Sequence, residues 1–315
     1  MQARGLKPGE LPETWNLSRP EIITEIHREY LDAGSDVVTT NTFGANHFKF
    51  KAEDGYSVKE IVTAAVRNAK NAIAAAGHGY AALDMGPTGK LLKPYGDLEF
   101  EDAYEAYKEV VLIGKAAGAD LVIIETMGDG YELKAAVLAA KENSDLPVFA
   151  TVTLDEKGKM LTGGNVESVT ALLEGLVADV IGLNCGLGPI QLLPFMRDMA
   201  KVSSTPILVN PNAGLPRSEG GKTVYDIDAD EFATAMQEMA SALMEKKRSN
   251  EILWRSAFSS GRIVRSGALM KKESAKIKKV AAAQISMASV NSLADVRFMA
   301  MKGPMAEAIV TPSVK

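Results

Sequence analysis

Several polar residues in this chain stand directly after short apolar runs. Glu125 follows Leu121-Val-Ile-Ile124, and the pair Asn184-Cys185 closes the run that starts at Val180. Asn41-Thr42-Phe43 follows Asp36-Val-Val-Thr-Thr40, Met85-Gly-Pro-Thr-Gly89 follows Tyr80-Ala-Ala-Leu-Asp84, and Asn210 and Asn212 follow Pro206-Ile-Leu-Val209. Cys185 is the only cysteine, and as a thiolate it could act as a nucleophile or a soft-metal ligand. The bland alternative is a small buried hydrophobe, although the Gly186-Leu-Gly188 that follows would let a ligand approach closely. A carboxylate emerging from an apolar strand, as at Glu125, needs a cationic partner. That partner is either a ligand ammonium group or a Lys or Arg on a neighbouring strand. Asn41 and Asn212 could contact a ligand or simply hold their turns.

Other chemistries are signalled weakly or not at all. The three histidines, His27, His47 and His78, match no zinc spacing. No G-x-G-x-x-G follows a strand, there is no Walker A sequence, and the basic C-terminal part lacks the interleaved aromatics of a nucleic-acid surface.

Helical and strand-like patterns alternate from residue 20 to about 244. Helices are expected over 20–33, 58–76, 101–117, 130–142, 165–176, 189–202 and 228–244, and strands over 36–40, 80–84, 120–124, 147–153, 179–184 and 206–210. Strands that are apolar throughout, separated by helices, indicate βαβ units and a parallel sheet covered on both faces. Six such strands fit a (β/α)8 TIM barrel that is two strands short, with a doubly wound open sheet as the runner-up. In a barrel, the residues after each strand converge on one face, where active sites lie.

The net charge of −5 conceals two unlike parts: residues 246–315 hold 14 Lys/Arg against 4 Asp/Glu, whereas residues 1–245 hold 21 against 36. The expected division is therefore a barrel over 1–245 and a basic tail of unassigned fold over 246–315. A single cysteine excludes an internal disulfide framework and points to a reducing compartment such as the cytoplasm. No apolar stretch approaches the roughly 20 residues of a membrane span, and the N-terminus lacks the apolar core of a signal peptide.

Taken in order, these motifs resemble the homocysteine S-methyltransferase family. They are Asn16-Leu-Ser-Arg-Pro-Glu-Ile22, Tyr30-Leu-Asp-Ala-Gly-Ser-Asp36, Thr40-Asn-Thr-Phe-Gly-Ala-Asn46, Gly86-Pro-Thr-Gly89, Ile124-Glu-Thr126, Ile181-Gly-Leu-Asn-Cys185 and Val209-Asn-Pro-Asn-Ala-Gly-Leu-Pro216. The resemblance spans about residues 2–240 and is closest to the homocysteine-binding modules of cobalamin-dependent methionine synthases. It implies a (β/α)8 barrel whose zinc, held by three thiolates, binds the homocysteine sulfur and keeps it ionised for attack on a methyl group. Cys185 matches one of those thiolates, and the implied substrate contacts are Glu125, Asn41, Thr42, Phe43 and Asn184. The implied methyl donor is methylcobalamin on a separate corrinoid protein, or a folate-linked donor protein; S-methylmethionine would use the same site.

Two departures from the family's pattern stand out. The Asp-Gly-Ala-Met-Gly-Thr type motif of the family's first strand is missing ahead of Met1-Gln-Ala-Arg-Gly5. Where the family carries Gly-Gly-Cys-Cys-Gly-Thr on its eighth strand, this chain reads Glu251-Ile-Leu-Trp-Arg-Ser-Ala-Phe-Ser-Ser-Gly261. The barrel is thus expected to lack its first strand and a family-like eighth, and a truncated start or a frameshift would account for both. The expected function is homocysteine methylation, weak or absent in this polypeptide; the alternative is a degenerate, non-catalytic barrel that binds a small amino acid or a partner protein.

Overall fold

Local signals set the helix ends. Ser57 caps the helix Val58–Ala76 (α3) with a reciprocal box, in which Glu60 N donates to Ser57 Oγ at 3.2 Å and Ser57 N donates to Glu60 Oε2 at 3.1 Å. Val58, Ile61, Val62, Ala65, Val66, Ala69 and Ala72 recur at helical spacing and are buried, and Gly77 ends the helix at φ 76°. The same logic of apolar stripe and polar cap governs its neighbours.

The computed structural model describes residues 1, 4–7, 9–51, 55–214, 216–219, 222–225, 227–254, 296–299, 309–310 and 313–314; side chains are described up to residue 214 and over 227–243. A 3-10 turn at Pro12–Thr14 and a short helix Trp15–Ser18 (α1) precede Pro20–Ala33 (α2) and the strand Val37–Thr39 (β1). After α3 come Tyr80–Met85 (β2), Phe100–Ala117 (α4), Leu121–Met127 (β3), Gly130–Asn143 (α5), Val148–Val152 (β4), Val166–Gly175 (α6), Val180–Asn184 (β5), Pro189–Val202 (α7) and Ile207–Asn210 (β6). A hairpin, Pro216–Glu219 (β7) and Lys222–Tyr225 (β8), leads to Ala229–Trp254 (α8). The later strands are Val296–Met299 (β9), Ile309–Val310 (β10) and Ser313–Val314 (β11).

All six expected strands form, and β1 to β6 pair in parallel in sequence order. Their side chains alternate between an inner face, with one apolar cluster, and an outer face packed on the helices. The inner cluster is built from strand residues alone: Val37, Ala82, Leu121, Ile123, Phe149, Val180 and Leu208. On the outer face Leu83, Val122, Ile124, Ala150, Ile181 and Val209 join residues of α3 to α8, and Val38 and Ala81 join residues of α2 and α3. Helices therefore cover one face, and the opposite face curls on itself. A doubly wound sheet would carry helices on both faces, so the fold is a partial (β/α)8 barrel.

The edges differ from a closed barrel. Beside β6 lies β10, parallel, and beside β1 lies β9, antiparallel, followed by β11. These strands come from the part to which the sequence assigned no fold. The helix expected over 228–244 continues to Trp254, because the sequence offers no Gly or Pro there to stop it. The stretch read in place of Gly-Gly-Cys-Cys-Gly-Thr lies, from residue 255 on, outside the described residues.

Candidate active site at the strand C-terminal ends

The strand ends that the sequence singled out converge on one face. In β2 and β3, Leu83 and Ile124 face the helices, so Asp84 and Glu125 face the barrel interior; they are 2% and 0% exposed. The strand β3 continues two residues past Glu125, further than the sequence indicated, and carries a bulge there. Ile124 pairs with Ala150 and Met127 with Val152, so Glu125 and Thr126 together oppose Thr151. Thr126 has φ 59°, a conformation that costs a β-branched residue about 1–2 kcal/mol.

Asn184 holds this bend from two strands away. Its Oδ1 accepts from Thr126 N and from Thr151 Oγ1, both at 2.8 Å, and its Nδ2 donates to Thr126 Oγ1 at 2.8 Å. The next residue, Cys185, is buried and also left-handed, with φ 59°; its N–H donates to Asn210 O at 3.0 Å. Asn212 N donates to Leu187 O, which ties the β6 loop to the β5 turn. The side-chain oxygens of Asn210 and Asn212 are buried with no hydrogen-bond partner among the described residues.

The other loops are pinned from outside the barrel. Asn41 Nδ2 donates to Pro12 O at 2.8 Å, and Asn16 Nδ2 donates to Asn41 O at 2.7 Å. Thr42 Oγ1 donates to Asp84 O at 2.7 Å. Gly44 N donates to Glu13 Oε1 at 2.9 Å, and Lys49 pairs with the same oxygen at 3.0 Å. Phe43 lies so close to Gly86 that a Cβ there would run into its ring. Thr88 N and Oγ1 donate to Glu132 Oε1 at 2.7 and 2.6 Å, and Tyr107 OH donates to it at 2.9 Å. Burial raises the Glu132 carboxyl above the usual range; it also raises Tyr107, with the Glu132 charge adding to the effect. Glu13 and Glu132 were not legible as site residues, since each sits in a helical or turn segment away from any strand end.

Asn41, Thr42, Phe43, Glu125, Asn184 and Cys185 all lie at one end of the sheet, at or just after the ends of β1, β3 and β5. Their roles within the protein are more internal than the spacing suggested, because Asn41, Thr42 and Asn184 each spend side-chain bonds on neighbouring loops. Around this face the buried acids Glu13, Asp84, Glu125, Asp129 and Glu132 accumulate, and no Lys or Arg is buried among the described residues. Of these acids, Glu13 is paired with Lys49, and Glu132 accepts from Thr88 and Tyr107. Among the described residues no three His, Cys, Asp or Glu cluster as a metal site, and the chain has one cysteine. A three-thiolate zinc site does not fit these residues.

The fold is that of an α/β-barrel protein, a class whose active sites lie at the strand C-terminal ends. Residues 3–268 match the family described as homocysteine S-methyltransferase, and the chain belongs to that family. It is 35% identical over 234 residues to a methionine synthase of Mycobacterium leprae (strain TN), covering 71% of this chain and 19% of that protein. It is 34% identical over 234 residues to a methionine synthase of Mycobacterium tuberculosis (strain ATCC 25618 / H37Rv), covering 71% and 20%. The chain therefore spans about a fifth of the length of these relatives. Among solved structures it is similar in fold to the homocysteine methyltransferase MmuM from Escherichia coli. The oxidized form gives TM-score 0.62 at 22% identity over 76% of this chain and 84% of that one. The metallated form gives 0.60 at 24% identity, covering 68% and 80%. No helix among the described residues is long and apolar enough to cross a membrane.

Proposed function

We propose that this chain binds homocysteine at the strand C-terminal face and that its family chemistry is transfer of a methyl group to the homocysteine sulfur. The observation that carries the reading is Glu125, a fully buried carboxylate on the inner face of β3 within an acid-rich mouth. It supplies the counter-charge for the amino acid's ammonium group. The Asn41–Phe43 loop walls the same face, with Asn184 in the layer beside it, and Cys185 lies two strands from Glu125, where the substrate sulfur would be directed. In the reaction the sulfur lone pair forms the new S–CH3 bond, and the electron pair of the broken bond leaves with the donor. The proposed donor is methylcobalamin on a separate corrinoid protein, with a folate-linked protein or S-methylmethionine as the competing sources.

Zinc in this family would keep the sulfur ionised. Cys185 offers one thiolate, so the chain is proposed to hold zinc weakly and to be slow or inactive alone. The same observation supports the second reading, a barrel that binds the amino acid without turning it over. Titration calorimetry with L-homocysteine tests the binding step: wild type should bind, and Glu125→Gln should weaken binding by at least tenfold. Equal affinity in the two proteins would sink the role of Glu125, and no binding by wild type would sink the proposal. Elemental analysis and methionine formation with each donor then separate the readings. Zinc near one per chain that is lost in Cys185→Ala, with product formed, supports the enzyme; retained folding without zinc or product supports the binding module.

A further inference from the structure

The cross-barrel bonds of Asn184 carry more than local packing. Its amide is buried at 1% exposure, reaches past β4, and spends three bonds of 2.8 Å on Thr126 and Thr151. Thr126 is held at φ 59° in a two-against-one bulge that begins at Glu125. Without those bonds the threonine gains by relaxing to the extended region, since left-handed backbone is disfavoured for a β-branched residue. Relaxation would shift the residue before it, which is Glu125. The chain therefore contains a strained bend next to its buried carboxylate and a brace, from a different strand, that keeps the bend in place.

We propose that Asn184 is a positioning residue: it fixes the direction of the Glu125 carboxylate by locking Thr126 in the left-handed conformation, rather than by touching the ligand. The inference rests on the homocysteine reading for its ligand, but the brace itself does not depend on it. Asn184 also begins the turn that presents Cys185, so one amide ties the carboxylate arm on β3 to the thiol arm on β5.

Two measurements on the full chain test this. The first is amide hydrogen exchange at Thr126, whose N–H donates to Asn184 Oδ1. In Asn184→Ala this amide should exchange at least a hundredfold faster, while Val122 and Ile123 of the same strand stay slow. The second is calorimetry with L-homocysteine. Asn184→Ala should weaken binding at least tenfold, and adding Thr126→Gly should recover most of that loss, because glycine adopts the bend without a brace. Should Asn184→Ala fail to fold, the nearly isosteric Thr151→Val removes one of the three bonds and should give the same two effects at smaller size.

Weakened binding that Thr126→Gly does not rescue would overturn the proposal in favour of direct contact between Asn184 and the ligand. Unchanged binding in Asn184→Ala would overturn it as well, as would slow exchange at Thr126. If wild type binds no homocysteine, the ligand assignment falls with the proposed function. Exchange at Thr126 then decides the brace alone.

Discussion

Single side chains set some of this protein's stability in ways that can be measured. His27 is fully buried on α2, and burial lowers its pKa from 6.5 to about 4. Neither ring nitrogen has a hydrogen-bond partner among the described residues. Below the ordinary histidine pKa the unfolded chain takes up a proton that the folded chain refuses. Stability linked to His27 is therefore complete above about pH 6.5 and is lost as pH falls towards 4, by roughly 3 kcal/mol at the limit. Urea midpoints at pH 7 and pH 4.5 should show this loss, and His27→Phe should shrink it. Val177 sits in the left-handed region at φ 58° and is largely exposed, in the loop between α6 and β5. Val177→Gly should raise stability by about 1 kcal/mol, read as a higher denaturant midpoint.

At the level of elements, the chain announces its helices and strands clearly and its loop locks poorly. All six strands were legible because their apolar runs are bounded by Gly, Asn and Pro, and α3 was legible from its alanine-rich stripe. Removing its capping box with Ser57→Ala should cost about 1 kcal/mol in chemical denaturation, the usual worth of an N-cap. The hairpin of β7 and β8 went unread although Gly220-Gly221 between Arg217-Ser-Glu219 and Lys222-Thr-Val224 is a recognised hairpin signal. Its strands are short and polar, so no apolar alternation drew attention to them. The bulge at Glu125 was equally silent, since it depends on the pairing of β3 with β4 and on an amide nearly 60 residues away. Long-range partners of this kind leave no local pattern. For the same reason Glu13 and Glu132, which pin the first two mouth loops, could not be picked from spacing.

For the molecule as a whole, the decisive feature is that the inner face of the sheet has its own apolar cluster, separate from those shared with the helices. The sequence could place strands in a parallel sheet but could not distinguish a barrel from a doubly wound sheet by periodicity, because both bury strands on each face. The inner cluster, made of strand residues alone, makes that distinction. It is small, and Phe149 is its largest member at 1% exposure. Phe149→Ala should therefore cost about 3–5 kcal/mol in equilibrium unfolding, with little room for the curled face to collapse around the void. A loss below 1 kcal/mol would mean that the inner layer is not a packed core. The six parallel strands of the partial barrel were legible, whereas the positions of β9 and β10 at the sheet edges had no forewarning in a segment without alternation.

The left-handed turn at Cys185 has an evolutionary corollary. A glycine in that position would satisfy the backbone at no conformational cost, and the thiol would be gone. Stability and the thiol thus pull in opposite directions at one codon. A library randomised at position 185 and sorted only for thermal resistance should drift to glycine or asparagine. One sorted for capture of an amino-acid thiol should return cysteine. Which residue survives each sort would report whether the fold still serves the chemistry of its family.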